Sequence, residues 1–358
     1  MSYKSPLHEM SMTTPTKFWN DNCSLSDLKF AMEHGAIGAT TNPVIVGQVL
    51  KVELAKYTPV VKKLLEENPN ATEDDITWLL NRQMVCDGAD MLLPVFEKYQ
   101  GKAGYISIQT NTKYYRDAKK MEEQAVEFSK LRKNVMVKMP ATAAGIKAIE
   151  ECSYRGVSVN ATVSFSVSQA IHVAEAIKRG MERRTKEGLD NGAINPVCTI
   201  MVGRVEDWLR ELAEEKNIII DPLAFTMSGV AVFKNAYRIY KERNYPLSLL
   251  VAAYRSHHHW SEFIGGEVSM TIPPMWIRRF AASDIKVENR MDTPVDPRLV
   301  EKLMKHFPDF TRAYEPDGLR PEEFEHYGAT NRTLMQFLNG YDTTVSLVRD
   351  IIVSPPME

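Results

Sequence analysis

Along this chain, short apolar runs alternate with longer helix-like segments. The runs "TKFWNDNC" (16–23), "AIGATTNP" (36–43), "GYISIQT" (104–110), "VMVKMP" (135–140), "VSVNATVSF" (157–165), "PVCTIMVG" (196–203), "LSLLVAAY" (247–254) and "GEVSMTI" (266–272) predict eight strands. Between them lie segments with helix punctuation. Ser24 is placed to cap "SLSDLKFAMEHG", with Asp27 three residues on and Gly35 as its stop. Thr58 and Pro59 are expected to open a helix, and Thr72 with Asp75 a further one, "DITWLLNRQMVCDGADMLLPVFEKY". Helical patterns follow at 117–133, at 143–156 (ending on Gly156), in "SVSQAIHVAEAIKRGMERRTKE", in "RVEDWLRELAEEKN" and in "FTMSGVAVFKNAYRIYKERN". A strand–helix alternation implies a parallel sheet, and eight units fit a closed (β/α)8 TIM barrel of the α/β class. The alternative is an open doubly wound sheet, although no G-x-G-x-x-G follows the first strand.

In such a barrel the C-terminal ends of the strands carry the active site. Polar residues collect there: Asp21, Thr41 and Asn42, Gln109 and Asn111, Lys138, Asn160 and Thr162, then Arg204 and Arg255 after the sixth and seventh strands. Lys138 and Asn160 stand out because apolar residues flank both. Alternate side chains of a strand share a face, so Met136 and Lys138 point one way and Val137 and Met139 the other. Turned inward, Lys138 would be partly desolvated, its pKa lowered, and its free amine able to condense with a ketone. The competing reading is a lysine that snorkels from a strand end to water.

Composition narrows the function classes. The 358 residues carry a formal net charge of −2, with 44% hydrophobic and 25% charged residues. The balance argues against a nucleic-acid footprint. No apolar run approaches the roughly 18–20 residues of a membrane span, and the N-terminus lacks the apolar centre of a signal peptide. Cys23, Cys86, Cys152 and Cys198 are far apart, which suggests reduced thiols in the cytoplasm and no zinc site. "SHHHW" (256–260) reads as a loop or helix start, because three adjacent histidines cannot easily share one ion. The basic "KRGMERRTKEG" (178–188) reads as a solvated helix face, and "TIPPMWIRRF" (271–280) as a cover for the barrel.

Four blocks carry a family likeness. "GATTNPVIV" (38–46) resembles the G-A-T-T-N-P segment of transaldolases. "VMVKMPATAAGIKAIEE" resembles their Schiff-base lysine segment, "VSVNATVSFSVSQA" their N-x-T-x-x-F-S-x-x-Q-A block, and "MVGRVEDW" their F-V-G-R-I-x-D-W. The blocks keep the family's order and span residues from about 16 to 272. The resemblance implies an α/β barrel and class I chemistry that needs neither metal nor cofactor. It places the Schiff-base nucleophile on Lys138 and proton transfer on Asp21. It implies that Asn42, Asn160 and Thr162 hold substrate hydroxyls or the catalytic water, with Thr41 and Thr199 in the same substrate-binding set, and that Arg204 and Arg255 clamp a phosphate. Guanidinium suits that task because it stays charged and binds oxyanions bidentately.

The chain departs from the family pattern at several places. Gln109 stands where transaldolases have a glutamate that helps activate water; a carboxamide orients water but takes no proton from it. Related fructose-6-phosphate aldolases have glutamine there, yet they also have a tyrosine where this chain has Met201. The family's A-S-F-R becomes "AAYR" (252–255), which loses a serine hydroxyl to Ala253 and introduces Tyr254. Loss of that hydroxyl raises a sulfonate as an alternative to phosphate.

The expectation is therefore a transaldolase-type transferase of carbohydrate metabolism. It would move a dihydroxyacetone unit from a ketose bearing a C6 anion to an aldose phosphate. The rivals are an aldolase that releases dihydroxyacetone and a sugar-phosphate-binding protein without turnover. Expected partners are small sugar substrates, with no nucleic acid and no membrane, and self-association is possible. Residues 1–283 are expected to form the barrel. Residues 284–358 would form a helical extension packed on the barrel or a neighbouring subunit, with a substrate lid as the alternative and Asp296–Pro297 as its first cap.

Overall fold

A computed structural model describes residues 3–353. The last five residues of the expected extension lie outside that range. Eight parallel strands, β1 (Lys17–Asn20), β2 (Gly38–Thr40), β3 (Tyr105–Gln109), β4 (Val135–Pro140), β5 (Val159–Ser164), β6 (Val197–Met201), β7 (Ser248–Ala252) and β8 (Ser269–Ile272), pair in chain order. β8 returns to β1 with Lys17 opposite Ser269 and Asn20 opposite Ile272, so the sheet closes. The open doubly wound alternative is thereby excluded. The C-terminal segment contributes helices Pro297–His306, Pro308–Tyr314 and Gly328–Ile352, packed on the barrel.

The two faces of the strands follow the period of two. Trp19, Tyr105, Met136, Val197 and Leu250 form an apolar cluster of their own inside the barrel. Their neighbours Phe18, Ile106, Val137, Met139, Val159, Ala161, Cys198, Val251 and Met270 belong to the larger core between strands and helices. Gly38 is required here, since a Cβ would lie 2.8 Å from the Trp19 ring.

Several punctuation signals act as expected. Thr72 Oγ1 accepts from the Asp75 N–H at 3.2 Å while Asp75 Oδ2 accepts from the Thr72 N–H at 2.9 Å, opening the helix Glu73–Lys98. Gly35 ends the helix Leu25–Glu33 at φ +98°, and Asp296 Oδ1 accepts from the Arg298 N–H at 2.9 Å. Other expectations need correction. Ser24 precedes its helix without capping it; its hydroxyl donates instead to Glu53 at 2.5 Å. Thr58–Pro59 does not open a helix: Pro59 lies inside Leu54–Glu67. The carbonyl that Pro59 leaves without a donor belongs to exposed Ala55, where water can serve it.

The helices Pro6–Thr13 and Pro43–Val52 were not expected. The second, "PVIVGQVLKV", is apolar except for a narrow exposed edge at Gln48 and Lys51, because it is covered twice. Ile45, Val46, Val49 and Leu50 join Tyr57, Val61, Ile76, Leu80 and Met84, and Val348 of the C-terminal helix completes the cluster. The two helices approach so closely that a Cβ on Gly47 would lie 2.5 Å from Thr344 Oγ1.

Candidate active site

Above the apolar floor, the inward positions of the same strands turn polar. Register places Gln109 beside Lys138 and Lys138 beside Asn160 on three adjacent strands. Lys138 follows Met136 on the inward face and is only 2% exposed. Its ammonium has one protein hydrogen-bond partner among the described residues, the Thr41 carbonyl at 3.4 Å. Burial pushes its pKa below the ordinary lysine value, Asp21 opposes this, and Arg204 adds to the lowering. Asp21 follows β1 at its C-terminal end. Burial raises its carboxyl, while Lys138, a hydrogen bond from Thr40 and Arg204 pull it down.

Asn160 is held at both ends of its amide. Its Nδ2 donates to Ser107 Oγ at 3.0 Å, and its Oδ1 accepts from Thr199 Oγ1 at 2.6 Å. Thr199 thus orients Asn160 with its hydroxyl. The Thr41 hydroxyl donates to the Ser107 carbonyl at 2.9 Å, so Thr41 offers the site its main-chain carbonyl. Asn42 Oδ1 accepts from the Ile45 N–H at 3.0 Å at the head of the helix Pro43–Val52, which leaves its amide nitrogen free of protein partners among the described residues. Gln109 Oε1, Thr162 Oγ1 and the Tyr254 hydroxyl are buried without a protein partner among the described residues. Gln109 stands opposite Lys138 and Thr162 opposite Pro140, two residues further along β4, so their free polar atoms offer seats for water or hydroxyls. Val163 adopts φ +52° where β5 shifts register against β6, a strained conformation for a β-branched residue that aims Thr162 and Ser164.

The two expected arginines lie together. Gly203 N–H bonds the Ala253 carbonyl at 2.9 Å, and a Cβ there would lie 2.2 Å from that oxygen. This contact fixes the start of the helix Val202–Glu215, which carries Arg204, beside the end of β7, which leads to Arg255. Arg255 forks onto Asp207 at 2.7 and 2.5 Å. Arg204 donates to Thr333 Oγ1 at 3.3 Å and to Gln336 Oε1. Arg332 reaches Asp207 at 3.3 Å and Glu211 at 2.9 Å. Burial and the nearby Arg255 push Arg204 down to about 10. Behind this cluster, His259 accepts from the Arg255 N–H through Nδ1 at 3.1 Å, and its Nε2 lies 3.1 Å from the Thr226 carbonyl. Burial lowers His259 to about 4, so it is neutral.

The structure sets Gln109, Lys138 and Asn160 side by side with Asp21 facing Lys138, gathers Arg204 and Arg255 into a cluster of their own, and engages the Thr41 and Thr199 hydroxyls with neighbouring strands; Asn111 instead caps the turn Thr112–Tyr114, its Oδ1 accepting from the Lys113 N–H at 3.0 Å. Sequence reasoning missed Arg332, Thr333 and Gln336, which arrive from the C-terminal helix. It also missed Thr40, Ser107 and Thr271, whose inward orientation the period of two would have given. No helix among the described residues is long and apolar enough to cross a membrane.

Fold and site define a closed parallel barrel whose C-terminal mouth holds a buried lysine, a half-buried aspartate and an arginine cluster. The chain belongs to the family described as transaldolase/fructose-6-phosphate aldolase, whose sequence model matches residues 18–320. It is 28% identical to a transaldolase of Kocuria rhizophila over 250 residues, covering 64% of this chain and 66% of that protein. A transaldolase of Trichodesmium erythraeum is 27% identical over 327 residues, 81% of this chain and 84% of the relative. A transaldolase of Mycobacterium marinum is 32% identical over 208 residues, 58% of this chain and 55% of the relative. The chain thus spans between about half and two thirds of the length of the first and third of these.

Proposed function

We propose that the protein is a transaldolase-type transferase that carries a dihydroxyacetone unit on Lys138. The observation that carries this reading is the burial of the Lys138 amine, 2% exposed, inside a barrel whose partner charge is Asp21. A lowered pKa leaves a fraction of free amine, which attacks the C2 ketone of a ketose. Asp21, protonated, gives its proton to the carbinolamine hydroxyl, which leaves as water. The resulting carboxylate then takes the proton of the C4 hydroxyl as the C3–C4 bond breaks, releasing an aldehyde and leaving an enamine on Lys138. Addition of the enamine to an aldose phosphate, with the proton returned, forms the new ketose. Gln109 and Thr162 hold the water; Asn42 and Asn160 orient hydroxyls.

The C6 anion would rest on Arg204, Arg255 and Arg332. These three guanidiniums face one carboxylate between them, Asp207, with Glu211 at the exposed edge. The surplus of positive charge matches a phosphate dianion better than a sulfonate monoanion. Fructose 6-phosphate should therefore turn over faster than its 6-sulfo analogue. The test of the whole reading is borohydride reduction in the presence of fructose 6-phosphate, followed by peptide mass mapping. The mass addition is expected on the peptide holding residues 135–142. Binding without trapping would favour the non-catalytic binder.

A second reading, an aldolase releasing free dihydroxyacetone, is favoured by Gln109, since the resemblance gives fructose-6-phosphate aldolases a glutamine at that place. Apolar Met201 opposes it. An assay with donor alone separates them: the transferase yields at most one equivalent of aldehyde per site until acceptor is added.

A further inference from the structure

Asp21 ends a string of side chains drawn from three strands at the closure of the barrel. Thr40 of β2 donates its hydroxyl to Asp21 Oδ1 at 2.6 Å, and Thr271 of β8 lies 2.5 Å from the same Thr40 oxygen. Both threonines are fully buried. A hydroxyl has a single proton. With the Thr40 proton on the carboxylate, the contact to Thr271 is made by Thr271 donating to Thr40. In the opposite direction, Asp21 would donate to Thr40 and Thr40 to Thr271. The Thr271 proton would then have no acceptor, since Thr271 Oγ1 has no other hydrogen-bond partner among the described residues. A buried donor left unpaired is unfavourable, so the string has a preferred direction.

We propose that Thr271 is a positioning residue that acts through Thr40, setting the direction of the string so that both hydroxyl dipoles point at Asp21 Oδ1 and leaving Oδ2 for the substrate's protons. The proposal rests on the reading of Asp21 as the proton shuttle. No protein donor reaches Oδ2 among the described residues. The other groups that face Asp21 are Lys138 of β4, Arg204 of the helix Val202–Glu215, the Tyr254 phenol after β7 and the Cys23 thiol after β1. Burial pushes Cys23 up to about 12 and raises the Tyr254 phenol well above its usual range, so both stay neutral near pH 7. Lys138 and Arg204 favour the carboxylate; burial opposes it. Donation along the string adds to the first side.

The experiment is a titration of the full chain labelled with ¹³Cγ-aspartate, the Asp21 signal being assigned by its loss in Asp21→Asn. Thr271→Val, a near-isosteric change, should move the Asp21 midpoint upward by about half a pH unit, since a polarising neighbour strengthens a hydrogen bond by only part of its value. The acid limb of kcat/KM should move by the same amount. Thr271→Ser should restore both. Thr40→Val should shift the midpoint further, and adding Thr271→Val to it should shift it no more, because the string is already cut. Thr271→Ala, which crowds nothing, is read in the same way if the valine variant does not fold. Midpoints of the folded valine and alanine variants that superimpose on the parent's would overturn the proposal, as would a further shift in the double variant. Failure of the underlying reading looks different: Asp21→Asn would keep full turnover, while the titration would still report on the string.

Discussion

Two layers of the same barrel interior carry opposite chemistry. The lower layer, Trp19, Tyr105, Met136, Val197 and Leu250, is apolar and buried. Two residues further along the same strands stand Asp21, Ser107, Lys138, Thr199 and Ala252. The period of two that points Met136 inward also points Lys138 inward, so one backbone pattern supplies both layers. The apolar floor makes the upper layer poorly solvated, and poor solvation lowers the Lys138 pKa. The apolar layer and the layer that holds Lys138 are thus separated by two residues along each of these strands.

Substitutions in each layer should break the comparison in opposite ways. Under the proposed chemistry, Lys138→Met should abolish turnover by more than about a thousandfold, because it removes the proposed covalent nucleophile. Its urea midpoint should hold or rise, since a buried ammonium is costly. Met136→Ala, one step below, should cost about 2–5 kcal/mol of stability by urea unfolding and leave the folded enzyme's kcat within a few-fold. A fall in stability for the first, or a collapse of kcat for the second, would show that the layers are not separable.

The region behind the arginines sharpens the comparison through pH. The unfolded His259 imidazole takes up a proton below about 6.5, whereas the folded one does so only near 4. Between those values the unfolded state binds more protons, so stability should fall as pH falls from 6.5 toward 4, by about 2–3 kcal/mol. His259→Gln should flatten that slope in urea titrations. The smallest effect is expected at the rim. Arg332→Ala should raise KM for fructose 6-phosphate by about tenfold, the loss of one charge-assisted contact at a partly exposed site, while hardly affecting unphosphorylated fructose. Equal effects on both substrates would remove Arg332 from the anion site.

The barrel was legible because each strand announces itself by a short apolar run, and because caps such as Thr72–Asp75 and stops such as Gly35 are local chemistry. The helix Pro43–Val52 was not legible, because a segment covered on two sides loses the amphipathic period on which a helix assignment rests. Thr58–Pro59 misled because a proline is tolerated within a helix where its unpaired carbonyl meets water. Lys138, Asp21, Arg204 and Arg255 lay at strand ends or in family-like blocks. Arg332 lay in neither. It comes from a helix whose Thr333 is 129 positions from Arg204, and only tertiary packing brings the two together. The hydroxyl engagements of Thr41 and Thr199 were equally invisible, since they depend on which neighbouring strand supplies the partner.

The requirement on which the proposed chemistry rests is a Lys138 amine held in a poorly solvated place that favours its neutral form. It is tested most directly by titrating the ¹³Cε signal of Lys138 in the resting protein, assigned by its absence in Lys138→Met. The midpoint is expected clearly below the 10.5 of a solvated lysine. A midpoint at or above that value would contradict it.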